Sequence, residues 1–202
     1  CLIIDGRLIG AVAEERLGPR VKHSSAFPLQ SIKYLLTLAG IALKDVTHIA
    51  VAKDSNANLT AKVKYSLGNA SKSLGAIKEH LSRRKREFKG LESLAELLGE
   101  DPNACVYKLV NVEHHLAHVS SAYYLSNFDS SAGFSYDGSG DFASMLAAKC
   151  EGNKIELIDK VLLPNSLGFF YTAMCQYIGF DRFGEEYKVM GLAPYGEDKY
   201  FD

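Results

Sequence analysis

The 202-residue sequence is 47% hydrophobic and 23% charged, which is typical of a globular domain with a sizeable core and excludes a disordered tail. Its 23 basic and 24 acidic residues give a formal net charge of -1. Because this balance attracts neither nucleic acid nor an anionic membrane, we expect neither as a partner and predict small-molecule ligands instead.

Three features predict a cytoplasmic protein with reduced thiols. The longest apolar region, 161–180, is interrupted by Pro164, Asn165 and Gln176 and is shorter than the roughly 18 to 20 apolar residues of a membrane-spanning helix. The opening residues CLIIDGRLIGAV lack the basic start of a signal peptide. The cysteines have no CxxC spacing, which argues against a thiolate metal site or a disulfide scaffold. They are Cys1, Cys105, Cys150 and Cys175.

The first elements in chain order are a hairpin, a helix and a strand. Residues 1–15 predict two strands joined by a two-residue turn at Asp5 and Gly6. From Pro28 the apolar spacing predicts a helix that stops at Gly40, and the run THIAVAKD that follows predicts a buried strand. The order is therefore β-β-α-β.

Residues 56–99 change character and predict a helical insertion rich in lysine and arginine. Its RRKR cluster at 83–86 could contact phosphate groups. A solvated helix face is the better interpretation, because Glu79 and Glu87 supply balancing charge and no aromatic residues are interleaved for base stacking.

The remaining chain repeats the earlier order. A strand at 107–113 precedes the helical run HHLAHVSSAYYLS, and three strand candidates follow: AGFSYDG, DFASMLAAKC and KIELIDKVLL. The next run, SLGFFYTAMCQYIGF, predicts a helix with Ser166 as its N-cap. If an opening strand before Cys1 is supposed, both halves show three strands and then a helix. We expect 1–55 and 100–131 to form the first half, and 132–202 to begin the second.

The run HHLAH is a candidate metal site. On a helix, His114 and His118 lie on one face with about 5 to 6 Å between their Cβ atoms, close enough for both imidazoles to bind one ion. His115 points elsewhere. A structural role for these histidines, as caps or packing groups, stays open at this point. A metalloprotease is disfavoured, because HExxH needs a glutamate where this chain has His115.

Two histidines leave the coordination incomplete, and Asp137 is the candidate carboxylate. In FSYDGSGD it ends a predicted buried strand and precedes two glycines whose backbone amides could approach an anion. A plain hairpin turn would use the same residues. Asp141 could bind metal, cap a turn, or do neither.

Two further segments are candidates for anion binding. The stretch EEYKVMGLAPYG is predicted to be an irregular loop, in which Lys188 could contact a phosphate or remain a surface lysine. The segment EERLGPRVKHSSAFP places Arg16, Arg20, Lys22 and His23 between a strand and a helix, either toward an anionic substrate or in a solvated loop.

Together these residues resemble the carbamoyltransferase family of nodulation and antibiotic-tailoring enzymes. Four motifs occur in the family's order: EER...KH...FP at 14–28, HHxxHxxSA at 114–122, DGxGD at 137–141 and KVMGLAPYG at 188–196. The resemblance implies an α/β lobe of the ribonuclease-H-like type, in the actin, hexokinase and heat-shock-chaperone superfamily, similar to the tRNA threonylcarbamoyl-transfer protein. The chain would be the N-terminal fragment of that lobe.

The resemblance also implies the reaction and its residues. His114, His118 and Asp137 would bind Fe(II) or another divalent metal, with a fourth ligand outside this chain. A separate domain would convert carbamoyl phosphate and ATP to carbamoyl-adenylate, and this lobe would pass the carbamoyl group to a substrate hydroxyl. Gly138, Ser139, Gly140 and Lys188 are the expected contacts of the adenylate.

Three departures from the family pattern bear on activity. The opening strand with its HDS-type segment is missing, the loop after EER is one residue longer than expected, and the second half of the lobe is absent. We therefore expect the fragment alone to be weakly active or inactive. The acceptor is open among aminoglycoside, oligosaccharide, cephem and polyketide hydroxyls.

Rival functions are an ATP-dependent sugar or acetate kinase of the same superfamily, a non-catalytic binding module and an enzyme that has lost activity. A kinase does not need HHxxH and would hold only labile magnesium. A binding module would use the basic insertion and show salt-dependent affinity for tRNA, which the net charge disfavours.

Overall fold

The computed structural model describes residues 1–18, 26–68, 91, 93–182, 184–197 and 199. It is a mixed α/β structure with helices and small sheets. The chain forms two compact units. Unit 1 comprises Cys1–Ala50 and Ser66–Val110, and unit 2 comprises Val51–Tyr65 and Asn111–Asp202.

Unit 1 opens with the predicted hairpin. Strands β1 (Leu2–Ile4) and β2 (Arg7–Gly10) are antiparallel, and Ile4 pairs with Arg7 across the turn. Asp5 and Gly6 have φ angles of 50° and 75°. Positive φ at both central residues is what a two-residue turn of the twisted hairpin requires, so the predicted turn is confirmed.

Helix α1 (Leu29–Ala39) is capped by a residue far away in sequence. Its N-cap position is Pro28, which has no side-chain acceptor. Glu14 instead accepts hydrogen bonds from the Gln30 amide at 3.0 Å and from the Ser31 amide at 2.8 Å. Burial opposes ionisation of Glu14, but these bonds outweigh it and hold the pKa below its usual value. The helix ends at Gly40, as predicted, with φ 67°.

The core of unit 1 lies between α1 and a short helix later in the chain, α3 (Leu94–Leu98). Leu36, Leu43 and Leu94 are buried in it. Strands β3 (His48–Val51) and β4 (Lys108–Asn111) pair with each other. The prediction of a buried strand at THIAVAKD is wrong, because the residues of β3 alternate between exposed and partly buried.

The described residues of 56–99 include two helices. Helix α2 spans Leu59–Gly68, and α3 lies near the end of this range. Residues 69–90 and 92, including the basic cluster at 83–86, lie outside the described residues, as do Arg20, Lys22 and His23. Among the described residues, no helix is both long enough and apolar enough to cross a membrane.

Unit 2 is built on an antiparallel three-stranded sheet in the order β5-β6-β7. Its strands are β5 (Ser130–Gly140), β6 (Ala143–Glu151) and β7 (Lys154–Leu162). Helix α4 (His114–Tyr123) packs against β5 and β6. A Cβ atom at Gly133 would lie only 2.7 Å from Cγ1 of Val119, so glycine lets the helix approach the strand closely.

Helix α5 (Leu167–Tyr177) follows the sheet, so the predicted order of three strands and a helix is confirmed. Its predicted N-cap is confirmed too, since the Ser166 hydroxyl accepts a hydrogen bond from the Phe169 amide at 3.0 Å. All four cysteines are free of disulfides, and Cys150 and Cys175 are buried as packing residues.

The segment predicted to be an irregular loop contains a helix, α6 (Glu186–Leu192), and a short 3-10 turn (Ala193–Tyr195). The prediction overlooked two stabilising contacts. Lys188 forms an ion pair with Glu185 one turn earlier, and Glu186 accepts a hydrogen bond from the Thr172 hydroxyl of α5 at 2.9 Å.

Candidate metal centre

The first residue of α4 is His114, and His118 follows one turn later. Glu113 begins the helix as its N-cap, because its carboxylate accepts a hydrogen bond from the Leu116 amide at 2.7 Å. The helical spacing directs both rings to the same side. Their Nε2 atoms lie 3.1 Å apart.

Asp137 lies where the β5–β6 pairing is interrupted. Tyr136 pairs with Met145, and pairing resumes only at Gly140 with Ala143, so the intervening residues bulge out of the ladder. The prediction of a buried strand before it is wrong, since Phe134 and Tyr136 are exposed. The bulge turns the carboxylate of Asp137 toward the histidines of α4.

The two oxygens of the Asp137 carboxylate have different partners. Oδ1 accepts a hydrogen bond from the Gly138 amide at 2.6 Å. Oδ2 lies 2.8 Å from Nε2 of His114 and 3.9 Å from Nε2 of His118. The backbone thus fixes one oxygen and leaves the other facing both rings.

The three donor atoms fit a metal ion. His114 Nε2, His118 Nε2 and Asp137 Oδ2 all lie within 4.8 Å of one another. Two donors that each lie about 2.1 Å from one ion are about 3 Å apart, which is close to the shorter separations here. Both close contacts are made by Nε2 of His114, so without a cation its one proton would have to serve Asp137 Oδ2 and His118 Nε2 together. Two imidazoles and one carboxylate suit iron, zinc and similar divalent ions.

The charge states of two of these residues favour metal binding. Burial and the neighbouring His114 lower the pKa of His118 below its usual value. Burial disfavours the Asp137 carboxylate, but hydrogen bonds from His114 and the Gly138 amide outweigh this, and its pKa is lowered. At neutral pH, His118 therefore has a free lone pair and Asp137 a negative charge, the forms that bind cations.

His115, which was predicted to point elsewhere, has a structural role. It is completely buried, with Nδ1 2.8 Å from the Ser135 hydroxyl and Nε2 3.0 Å from the Ala143 carbonyl oxygen. Because a carbonyl oxygen only accepts, Nε2 carries the proton and Nδ1 accepts from Ser135. This histidine therefore anchors α4 to β5 and β6.

Glycines allow the surrounding backbone to close on the site. A Cβ atom at Gly140 would lie 1.9 Å from Cδ2 of His114, and one at Gly168 would lie 2.5 Å from the Gly138 nitrogen. The Ser166 hydroxyl also donates to the Gly138 carbonyl oxygen at 2.7 Å. The start of α5 thus supports the bulge. Sequence reasoning found Ser166 as a cap but missed this contact and the role of Gly168.

Asp141, for which the sequence left three roles open, acts as a cap. Its Oδ2 accepts hydrogen bonds from the His114 amide at 2.9 Å and from the Asp54 amide at 2.7 Å. Its carbonyl oxygen accepts from Nδ2 of Asn58 at 2.9 Å. Asp54 and Asn58 carry no recognisable motif, so their contacts were not predictable.

The residues that were predicted to contact phosphate lie in two parts of unit 2. Gly138, Ser139 and Gly140 lie at the bulge beside the histidines, where the Gly138 amide is already bonded to Asp137. Lys188 is on α6, where its ammonium group forms an ion pair with Glu185. That pair holds the pKa of Lys188 above its usual value, so the side chain stays charged. Phosphate binding by these residues stays a prediction.

Comparison with known proteins identifies the family. The model of the family "Carbamoyltransferase N-terminus" matches residues 1–201. The chain therefore belongs to the carbamoyltransferase family and corresponds to its N-terminal region. This confirms the resemblance seen in the four motifs.

The chain is also similar to individual proteins over almost its whole length. The chain is 38% identical to nodulation protein NolNO of Sinorhizobium fredii, over 97% of this chain and 27% of that protein. It is 36% identical to an uncharacterised Synechocystis protein, over 100% of this chain and 33% of the relative. An uncharacterised protein of Methanocaldococcus jannaschii is 27% identical, over 98% of this chain and 31% of its own length. The chain spans about a third of the length of these curated relatives.

Proposed function

We propose that the protein transfers a carbamoyl group to a substrate hydroxyl, and that His114, His118 and Asp137 hold the metal used in that reaction. Family membership supports carbamoyl transfer. The observation that carries the proposed site is the convergence of two imidazole nitrogens and one carboxylate oxygen from α4 and β5. The metal is Fe(II) or another divalent ion, and its remaining ligand comes from outside these 202 residues.

The carbamoyl donor is carbamoyl-adenylate, made from carbamoyl phosphate and ATP by a separate domain of the same protein. In the transfer step the oxygen of the acceptor hydroxyl bonds to the carbamoyl carbon, and the bond from that carbon to the phosphate oxygen of the adenylate breaks. AMP leaves with the bonding electron pair, and the hydroxyl proton passes to solvent. When bound, the metal supplies a Lewis acid that stabilises the growing negative charge. The protein residues hold the reactants beside it.

The bulge after Asp137 is the proposed phosphate-binding segment. Ser139 and Gly140 follow Asp137 closely in β5, and their backbone amides are the proposed donors to the phosphate. The Gly138 amide is bonded to Asp137 and therefore orients that ligand. Lys188 contributes to phosphate binding only if it exchanges its Glu185 partner for the anion.

The proposed architecture is a ribonuclease-H-like lobe. It is supported by the order of three strands and a helix in β5, β6, β7 and α5, and by the β-β-α-β order of the opening residues. In this proposal, 1–55 and 100–131 belong to the first half, 56–99 are a helical insertion, and 132–202 begin the second half. The rest of the lobe and the activating domain lie in the remaining part of the full-length protein.

The test uses the full-length protein with carbamoyl phosphate, ATP and a panel of hydroxyl acceptors. AMP release that depends on the acceptor, together with a carbamoylated product, supports the proposal. His118→Ala is expected to abolish bound metal and transfer. His48→Ala is the matched control, because His48 is exposed on β3 in unit 1. Transfer by His118→Ala at the wild-type rate would contradict the proposed site.

A further inference from the structure

The carboxylate of Asp141 joins three segments that are far apart in sequence. It lies just after β5, and it bonds to the first residue of α4 and to the turn at Asp54, which follows β3. We propose that Asp141 is a positioning residue that aims His114 at the metal. This inference rests on the proposed metal centre.

The contact with α4 has a specific geometric effect. The amide of His114 is one of the first four of the helix and has no acceptor within the helix. Asp141 Oδ2 supplies that acceptor at 2.9 Å and places a negative charge at the positive end of the helix. The residue whose backbone it holds is itself a proposed metal ligand.

Asp141 is in turn held in place from the opposite side. The same Oδ2 accepts from the Asp54 amide, and the Asp141 carbonyl oxygen accepts from Nδ2 of Asn58. Its φ of 49° lies in the left-handed region, where aspartate is among the few residues other than glycine that are tolerated. Three hydrogen bonds therefore fix this strained residue relative to His114.

The neighbouring residue extends the effect from the backbone to the ring. Gly140 lies so close to His114 that an added Cβ atom would be 1.9 Å from its Cδ2. Gly140 therefore limits the position of the ring, and Asp141 fixes the backbone nitrogen. A second proposed ligand, Asp137, lies four residues before Asp141, in β5. One short segment thus carries one ligand and aims another.

This role differs from direct metal binding. Oδ2 of Asp141 is engaged by two amides, and the group of three donors that fits an ion contains Asp137 but not Asp141. Residues that orient metal ligands through hydrogen bonds typically contribute about 10- to 100-fold to metal affinity. We expect an effect of this size when Asp141 is lost.

The experiment is a Co(II) titration of the full-length protein, followed by the visible absorption of the bound ion. Asp141→Ala is expected to weaken Co(II) binding by about 10- to 100-fold. Asp141→Asn retains an oxygen that can accept hydrogen bonds from both amides. This variant is expected to bind Co(II) more tightly than Asp141→Ala does. Asp141→Glu keeps the charge but displaces the oxygen by one methylene, and it is expected to weaken binding as the alanine variant does.

Tyr123→Phe is the matched control for stability. It removes the hydrogen bond from the Tyr123 hydroxyl to the Asp129 carbonyl oxygen, at the opposite end of α4. We expect it to lower Tm without changing Co(II) affinity. If Asp141→Ala does not fold, Asp141→Glu decides the question.

Two results would overturn the positioning role. One is wild-type Co(II) affinity in the folded Asp141→Ala or Asp141→Glu protein. The other is an equal loss of affinity in Tyr123→Phe at an equal change in Tm. A different result would be equal Co(II) affinity in the His118→Ala variant and in the wild type. That result would rule out the proposed metal centre and, with it, the positioning role of Asp141.

Discussion

Nε2 of His114 lies 2.8 Å from Oδ2 of Asp137, although the two residues are 23 positions apart in the chain. The first begins helix α4 and the second lies in the bulge of β5. His118 lies one helical turn further on. Together the three side chains supply three donor atoms for one cation.

Asp137→Asn should remove the negative charge from the proposed centre while keeping the shape of the side chain. We expect metal affinity to fall by at least about 10-fold and carbamoyl transfer to fall with it, because a neutral amide is a weaker ligand for a divalent ion. Isothermal titration with Co(II) measures the first effect. Asp159→Asn, in the exposed part of β7, is the control. Equal affinity in both variants would show that Asp137 is not a ligand.

Gly140→Ala tests the close approach of the bulge to His114. The added Cβ atom would collide with the imidazole, so the ring or the backbone must shift. We expect a lower Tm together with weaker metal binding. Gly68→Ala provides the comparison, because a Cβ there meets nothing within 4 Å and alanine is favoured in a helix by about 1 kcal/mol. A Gly140→Ala protein with unchanged Tm and metal affinity would contradict the described packing.

His115 and His118 should respond oppositely to substitution. His115→Ala leaves the Ser135 hydroxyl and the Ala143 carbonyl oxygen without their partner in a buried position. Each such group costs about 1 to 3 kcal/mol, so thermal unfolding should occur at a clearly lower temperature. His118→Ala should change Tm little and abolish metal binding. The account of HHLAH fails if His115→Ala loses metal while its Tm is unchanged.

The stability of unit 1 should depend on pH through Glu14. Its pKa is lowered in the folded state, so its contribution is fully present above the unfolded value of about 4.3 and is lost as pH falls through the folded value. At neutral pH, Glu14→Gln should cost about 1 kcal/mol as a weakened helix cap. The difference from wild type should shrink below about pH 4. Urea unfolding at several pH values measures it.

Glu96→Gln is the control for that series, because Glu96 is an exposed glutamate on α3. Its stability should follow that of the wild type at every pH. A constant difference between Glu14→Gln and wild type down to pH 3 would show that the carboxylate charge of Glu14 does not stabilise α1.

Local patterns predicted much of this structure. The Asp5–Gly6 turn, the stop of α1 at Gly40 and the Ser166 cap depend on neighbouring residues only, and all three are confirmed. The spacing of His114 and His118 also fixes their common direction once a helix forms. Family motifs then singled out Asp137 as their partner, which spacing alone left open.

Contacts between distant residues explain what the sequence did not predict. Glu14 caps α1 across 17 positions, and Asp141 reaches Asp54 across 87. Helix α6 depends in part on a hydrogen bond from Thr172 of α5. The exposure of Phe134 and Tyr136 likewise depends on what packs against β5, not on the strand's own composition. None of these contacts has a periodic signal.

The most direct measurement is anomalous diffraction from crystals of the full-length protein grown with Fe(II), with data collected at the iron absorption edge. We expect one peak about 2.0 to 2.3 Å from each of His114 Nε2, His118 Nε2 and Asp137 Oδ2. A metal peak held by other residues, with these three side chains bonded only to one another, would contradict this expectation.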